Sequence, residues 1–227
     1  MTRSIKRHSL QARITHGVTA SSCILLAITG LFVLAPPLTA LLPAHVVFML
    51  RMAHRGLGLV FILVPLISAL IAPKGVAHIV KSYFAKWDKD DVTFMKRFVP
   101  YMLGPKRVHM PDQHEVKSGQ RVADGLLFIA AFLIAGSGVT LLLGTSAFTF
   151  SATVLLVAHF VHDLAFVLLC VFGIAHIFLG AGIFQPYRGM ASLMWGKGRV
   201  KESAALYHWG HWARTELEDG KNVVEED

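Results

Sequence analysis

The chain has 227 residues, of which 54% are hydrophobic and only 16% charged, with a formal net charge of +8 and a mean hydropathy of +0.56. Soluble domains carry about a quarter charged residues, so this composition excludes an ordinary soluble fold and points to a membrane protein. The basic residues lie dispersed beside apolar runs, which excludes a nucleic-acid-binding face and leaves topology and anionic lipid headgroups to account for the charge.

A helix needs roughly 20 predominantly apolar residues to cross about 30 Å of hydrocarbon. After a basic N-terminal segment, 1–16, the first predicted span runs from Gly17 to Leu42. It is too long, and too poor in small residues at a cleavage position, for a removable signal peptide, and is expected to remain as an anchor. The second runs from Gly56 to Ala72 and is short enough to stand nearly upright. A loop over 73–121 follows; it mixes basic, aromatic and acidic residues, as in Lys86-Trp87-Asp88-Lys89, and is expected to hold a short interfacial helix. The third span covers Val122 to Leu143 and the fourth Ala152 to Phe184. In the tail, 185–227, Trp195, Trp209 and Trp212 suit the membrane interface, and the acidic end after Arg214 is expected to be mobile. The fold class is therefore all-α, an integral membrane four-helix bundle over 17–184, with Cys23 and Cys170 inside apolar spans as small hydrophobes.

Lys and Arg accumulate on the cytoplasmic side of short loops. Four lie in the N-terminal segment, ten between Pro73 and Arg121 and six from Gln185 onward, while the loop 144–151 has none. Both termini are predicted cytoplasmic, in keeping with an even number of spans. Arg51 and Arg55, at the outer start of the second span, oppose the trend.

Ionisable residues are costly inside a membrane, so each is a functional candidate. His16 stands at the inner start of the first span and His54 at the outer start of the second; His159, His162 and His176 lie in the fourth. The 14 residues from His162 to His176 return to nearly the same helix face after a rise of about 21 Å. Depth alone then pairs His54 with His162 and His16 with His176. Two imidazoles from neighbouring helices at one level can hold a haem iron axially, so the expectation is two b haems, one near each membrane face. His159 is an alternative outer ligand. Zinc fits less well, because each level offers two nitrogens and no thiolate or carboxylate cluster to complete a tetrahedral shell. Neutral histidines hydrogen-bonded between helices are the plain alternative.

Arg13-Ile-Thr-His16 and Arg51-Met-Ala-His54 each place an arginine three residues before a proposed ligand, on the same side of the helix. Guanidinium groups there are suited to haem propionates, although Arg13 also reads as an ordinary topology charge. Gly30, Gly58, Gly136, Gly138, Gly173 and Gly180 supply space in the spans for a flat macrocycle or for close helix packing.

These motifs, with Lys117-Ser-Gly119-Gln120-Arg121 before the third span and Trp209-Gly-His211-Trp212-Ala-Arg214 in the tail, resemble the cytochrome b (gamma) subunit of respiratory membrane-bound formate dehydrogenases over nearly the whole chain. The resemblance implies that His54 and His162 hold the outer haem and His16 and His176 the inner one. It implies electrons arriving from a molybdenum- or tungsten-containing catalytic subunit through an iron–sulphur subunit, and their delivery to menaquinone or ubiquinone in the bacterial inner membrane. Lys117, Gly119, Gln120 and His176 would line the quinone site, and a higher oligomer of the complex is compatible with the family. Gly17 stands where a tryptophan is usual and Lys117 where an asparagine is typical. His109 and His114 before this segment read either as proton carriers to reduced quinone or as solvated loop residues.

Two other readings compete. Related cytochromes serve hydrogenases and thiosulfate or polysulfide reductases, or oxidise superoxide, with the same haems and a different donor or substrate. A haem-free membrane anchor or transporter subunit would use the histidines structurally, but internal inverted repeats are not evident.

Overall fold

A computed structural model describes residues 2–180, Gly182 and 185–226. In chain order the elements are β1 (Thr2–Lys6), α1 (Leu10–Leu34), α2 (Pro36–Thr39), α3 (Ala44–Ile71), α4 (Pro73–Tyr83), α5 (Lys89–Leu103), α6 (Ser118–Ser146), α7 (Ala152–Gly180), α8 (Ser192–Trp195), β2 (Arg199–Lys201), α9 (Glu202–His208), α10 (Gly210–Asp219) and β3 (Val223–Glu226). The four long helices α1, α3, α6 and α7 have the length and apolarity of membrane spans and are those of a membrane four-helix bundle. Large apolar side chains on all four stand exposed, among them Leu25, Leu70, Phe132 and Leu156. Such a surface suits acyl chains and not water.

Two of the spans, α1 and α3, stop at prolines. Pro36 and Pro37 lack the N–H that a continuing helix needs, so α1 ends at Leu34, eight residues before the expected Leu42. Pro73 takes the first position of α4, and α3 ends just before it. The start of α3 is the larger departure: it begins at Ala44, twelve residues ahead of Gly56, and carries His45, Arg51, His54 and Arg55 inside a helix of 28 residues. Polar residues end an apolar run in the sequence, but they do not end a helix. Residues 181, 183 and 184 of the fourth expected span lie outside the described residues.

The chain forms two compact units. Ile14–Ile71 and Leu126–Gly173 make one, consisting of the greater part of the spans with α2. Met1–Arg13, Ala72–Gly125 and Ile174–Asp227 make the other, whose buried core is Ile5, Leu193, Val200, Ala205, Trp209 and Ala213. Its scaffold is a three-stranded antiparallel sheet in the order β2-β1-β3, with Ile5 opposite Val200 on one side and Val223 on the other. The acidic stretch after Arg214, where a mobile tail was expected, carries regular structure up to Glu226: α10 closes on Gly220 in the left-handed conformation, and β3 then pairs with β1. The loop before the third span holds two helices rather than one. The second, α5, starts in a capping box, where Asp91 N–H donates to the Asp88 side chain at 2.8 Å and Asp88 N–H to that of Asp91 at 3.2 Å.

Candidate functional site

His54 on α3 and His162 on α7 face each other, with ring centroids 6.3 Å apart and planes at 71°. Metal–nitrogen bonds of about 2 Å, plus roughly 1 Å from nitrogen to ring centre on each side, place two axial imidazoles about 6 Å apart across one metal. The observed spacing matches that of a shared iron. His159 is exposed and His162 half-buried, so His162 is the residue of that helix aimed at His54.

A hydroxyl stands beside Nδ1 of each ring. Thr29 Oγ1 lies 2.9 Å from His54 Nδ1, and its single proton is donated to the Leu25 carbonyl at 2.8 Å. Ser137 Oγ lies 3.1 Å from His162 Nδ1 and donates to the Leu133 carbonyl at 2.7 Å. With its proton on the carbonyl, each hydroxyl oxygen can accept from Nδ1–H, the tautomer that presents the Nε2 lone pair to a metal. A Cβ built on Gly30 or on Gly138 would come 3.2 Å from Cε1 of His54 or His162 respectively, tighter than an ordinary contact. The two glycines keep the rings seated, and the donor set fits a bis-histidine haem.

The resemblance between these half-sites extends along the helices. Thr29, Gly30 and His54 recur 108 residues later as Ser137, Gly138 and His162, and the starts of α3 at Ala44 and α7 at Ala152 have the same separation. Arg13-Ile-Thr-His16-Gly17 recurs as Arg121-Val-Ala-Asp124-Gly125. This head-to-tail repeat is the signal that would have drawn attention to Thr29, Ser137 and Asp124, none of which stood out as a candidate.

His16 is half-buried on α1 in the span unit. His176 belongs to the other unit, where its Nδ1 donates to Asp124 Oδ1 at 2.9 Å and the Tyr83 hydroxyl donates to Asp124 Oδ2 at 2.7 Å. Asp124 is 7% exposed, so this carboxylate acts between two donors away from water. Burial, followed by Asp124, drives the Tyr83 hydroxyl pKa well above its usual value, and the Gln120 amide joins the same hydrogen-bonded group.

Lys117 is buried in a cage made by the tail. Its Nζ lies 3.0 Å from His208 Nδ1, 4.5 Å from the Tyr187 ring centroid and 4.8 Å from that of Trp209. Burial, helped by the charge of Arg7, holds the Lys117 pKa well below that of a solvated lysine; burial, then Lys117, takes His208 down to about 3. Arg7 stacks over Trp209 at 4.1 Å and donates to the Glu115 carbonyl, and burial lowers its pKa to about 10. Gly119 instead faces Phe94, whose Cε1 would be 3.2 Å from an added Cβ. Arg13 donates to the Gly196 carbonyl, tying the start of α1 to the tail, while Arg51 is exposed on α3.

Four apolar spans with one such imidazole pair define a membrane b-type cytochrome. The chain belongs to the family described as Prokaryotic cytochrome b561, whose model matches residues 7–197, and is a multi-pass protein of the bacterial inner membrane that carries haem b in electron transfer. No curated protein matches the chain.

Proposed function

We propose that the protein is the di-haem subunit of a respiratory complex of the formate dehydrogenase type, carrying electrons from an iron–sulphur subunit to a membrane quinone. His54 and His162 hold the outer haem, and His16 and His176 the inner one. A bis-histidine haem b supplies one-electron exchange with no open coordination position. The chain's residues do the rest: Thr29 and Ser137 orient the outer imidazoles, Gly30 and Gly138 leave them room, and Asp124 orients His176. The observation that carries the reading is the His54–His162 pair, each ring held through Nδ1 by a hydroxyl and directed at the other.

Reduction of a quinone to the quinol takes two electrons and two protons. Gln120 offers an amide donor for a quinone carbonyl and is joined to His176 through Asp124, whereas Phe94 over Gly119 and the tail cage around Lys117 must move aside for those two residues to touch the quinone. The Tyr83–Asp124 hydrogen bond beside Gln120 gives a polar route for protons from the cytoplasmic side. That both termini are cytoplasmic is supported by β1 lying between two strands of the tail, since the two ends must then share one side of the membrane.

A haem-to-protein ratio of two on purified material, with two components in a redox titration, is the expected result; one component or none refutes the di-haem reading. Copurification with partners identifies the donor: molybdenum or tungsten supports formate dehydrogenase, and nickel assigns the chain to a hydrogenase instead.

A further inference from the structure

In the unit that contains the sheet, Asp88, His114 and His211 each bring a ligand atom to within 4.8 Å of the others. His114 Nε2 lies 2.9 Å from Asp88 Oδ2, and His211 Nε2 lies 2.8 Å from Asp90 Oδ2. The two imidazoles stack, with centroids 4.9 Å apart and planes at 21°. Apart from His114 as a candidate proton carrier, the electron-transfer reading uses none of this group.

We propose that Asp88, Asp90, His114 and His211 form a binding site for one divalent cation of the zinc class. Two imidazole nitrogens and the Asp88 oxygen supply three positions of a tetrahedral shell, Asp90 Oδ2, 2.8 Å from His211 Nε2, is at hand for the fourth, and the two aspartates balance the charge of the ion. Imidazole selects zinc-like metals over magnesium and calcium, which require oxygen. A shared cation accepts the lone pairs of both stacked imidazoles.

The backbone prepares the site. Asp88 caps α5, so its Oδ1 is engaged by Asp91 N–H at 2.8 Å while Oδ2 stays turned toward His114. His211 N–H donates to the Gln113 carbonyl at 3.1 Å, which fixes the first turn of α10 beside the residue preceding His114. Gln113 is itself 2% exposed, and its side-chain oxygen accepts from Ser118 N–H at 3.1 Å. The ligand-bearing backbone is thus anchored in the core. The side chains of the four ligands are 37–48% exposed, which leaves them room to draw in to ligand–ligand separations of about 3.3 Å around a tetrahedral ion. The bound ion would clip together α5, the segment before α6, and α10.

Zinc titration of the purified full-length haem protein, followed by calorimetry and by metal analysis after gel filtration, tests this. One zinc per chain is expected, with no competition from millimolar magnesium. His114→Ala and His211→Ala each weaken binding at least tenfold, with the haem spectrum unchanged as a check on folding. Asp90→Asn weakens it less and avoids the α5 cap. Absence of stoichiometric zinc, unchanged affinity in both histidine variants, or displacement by magnesium overturns the site. A second measurement needs no variant: zinc is expected to protect His114 and His211 of the wild-type protein from diethylpyrocarbonate, and equal modification with and without zinc also overturns it.

Discussion

The two helix pairs, α1 with α3 and α6 with α7, agree at one level of the membrane and differ at the other. Where they agree, a hydroxyl, a glycine and a histidine recur at the same spacing, and the two copies face one another across 6.3 Å. Where they differ, His16 of the first pair corresponds to Asp124 of the second, and Ser68 of the first to His176 of the second. In the second pair this position holds a carboxylate–imidazole bond at 2.9 Å; in the first, the Ser68 hydroxyl accepts from Thr15 at 2.8 Å. Relaying an electron needs only two equivalent ligands, so the symmetric level can be built from one half-site used twice. On the proposed function the other level also handles protons and a quinone, which needs distinct groups, and it is there that the repeat is broken.

The largest effect that can break this comparison is complete loss of one haem. His54→Ala and His162→Ala are each expected to remove the same haem, lowering the pyridine haemochrome ratio from two to one. His16→Ala and His176→Ala are expected to remove the other, together with quinone reduction. Redox titration distinguishes the components, and loss of one and the same component from His54→Ala and His16→Ala breaks the pairing.

A smaller effect is expected at Asp124. Removing a carboxylate that holds a ligating imidazole costs about 10–100-fold in metal-site affinity, so Asp124→Ala is expected to weaken retention of the inner haem and raise its midpoint potential. The corresponding His16 change removes a ligand outright, and equal effects of the two would contradict their assignment to different roles.

Lys117 corresponds to Ser9 in the repeat, and the two positions contrast in their response to acid. Ser9 Oγ accepts from Ala12 N–H at 3.1 Å near solvent, whereas Lys117 is buried against His208. His208 has a folded-state pKa of about 3, below the usual value of 6.5, so unfolding takes up a proton. The stability this neutral imidazole contributes is fully present above about pH 6.5 and is lost as the pH falls toward 3, by at most about tenfold in the folding constant per pH unit. Thermal unfolding of the detergent-solubilised protein between pH 7 and 4 reads this slope. His208→Phe is expected to flatten it, and Lys117→Ser to flatten it in part.

The smallest effects are those of the hydroxyls. Thr29→Val and Ser137→Ala each remove one hydrogen bond, worth about 1 kcal/mol or roughly fivefold in equilibrium. Shifts of the outer-haem potential in the same direction, with the inner unchanged, would sharpen the equivalence of the half-sites; opposite shifts would deny it.

The spans and the histidine that faces His54 were legible because an apolar run of the required length and an imidazole within it are local signals. The start of α3 was not, because Arg51, His54 and Arg55 interrupt the apolar run without interrupting backbone hydrogen bonding. The sheet escaped for another reason: β1 and β3 are short, partly charged and some 220 residues apart, and no periodicity within either strand announces the partner. Asp124 was hidden in the polar start of α6, behind Gln120 and Arg121, where its meaning comes from Tyr83 and His176 and not from its neighbours in sequence. Lys117 was legible as a departure from the expected asparagine, but its burial depends on Tyr187, His208 and Trp209 in the tail.

The central strand of the sheet precedes all four spans in the sequence, and one of its two neighbours, Val223–Glu226, follows them. Thr2–Lys6 must therefore wait, with that edge unfilled, through the translation and insertion of every span. The sheet is thus a structure that only a chain with all four spans and the strands behind them in place can complete.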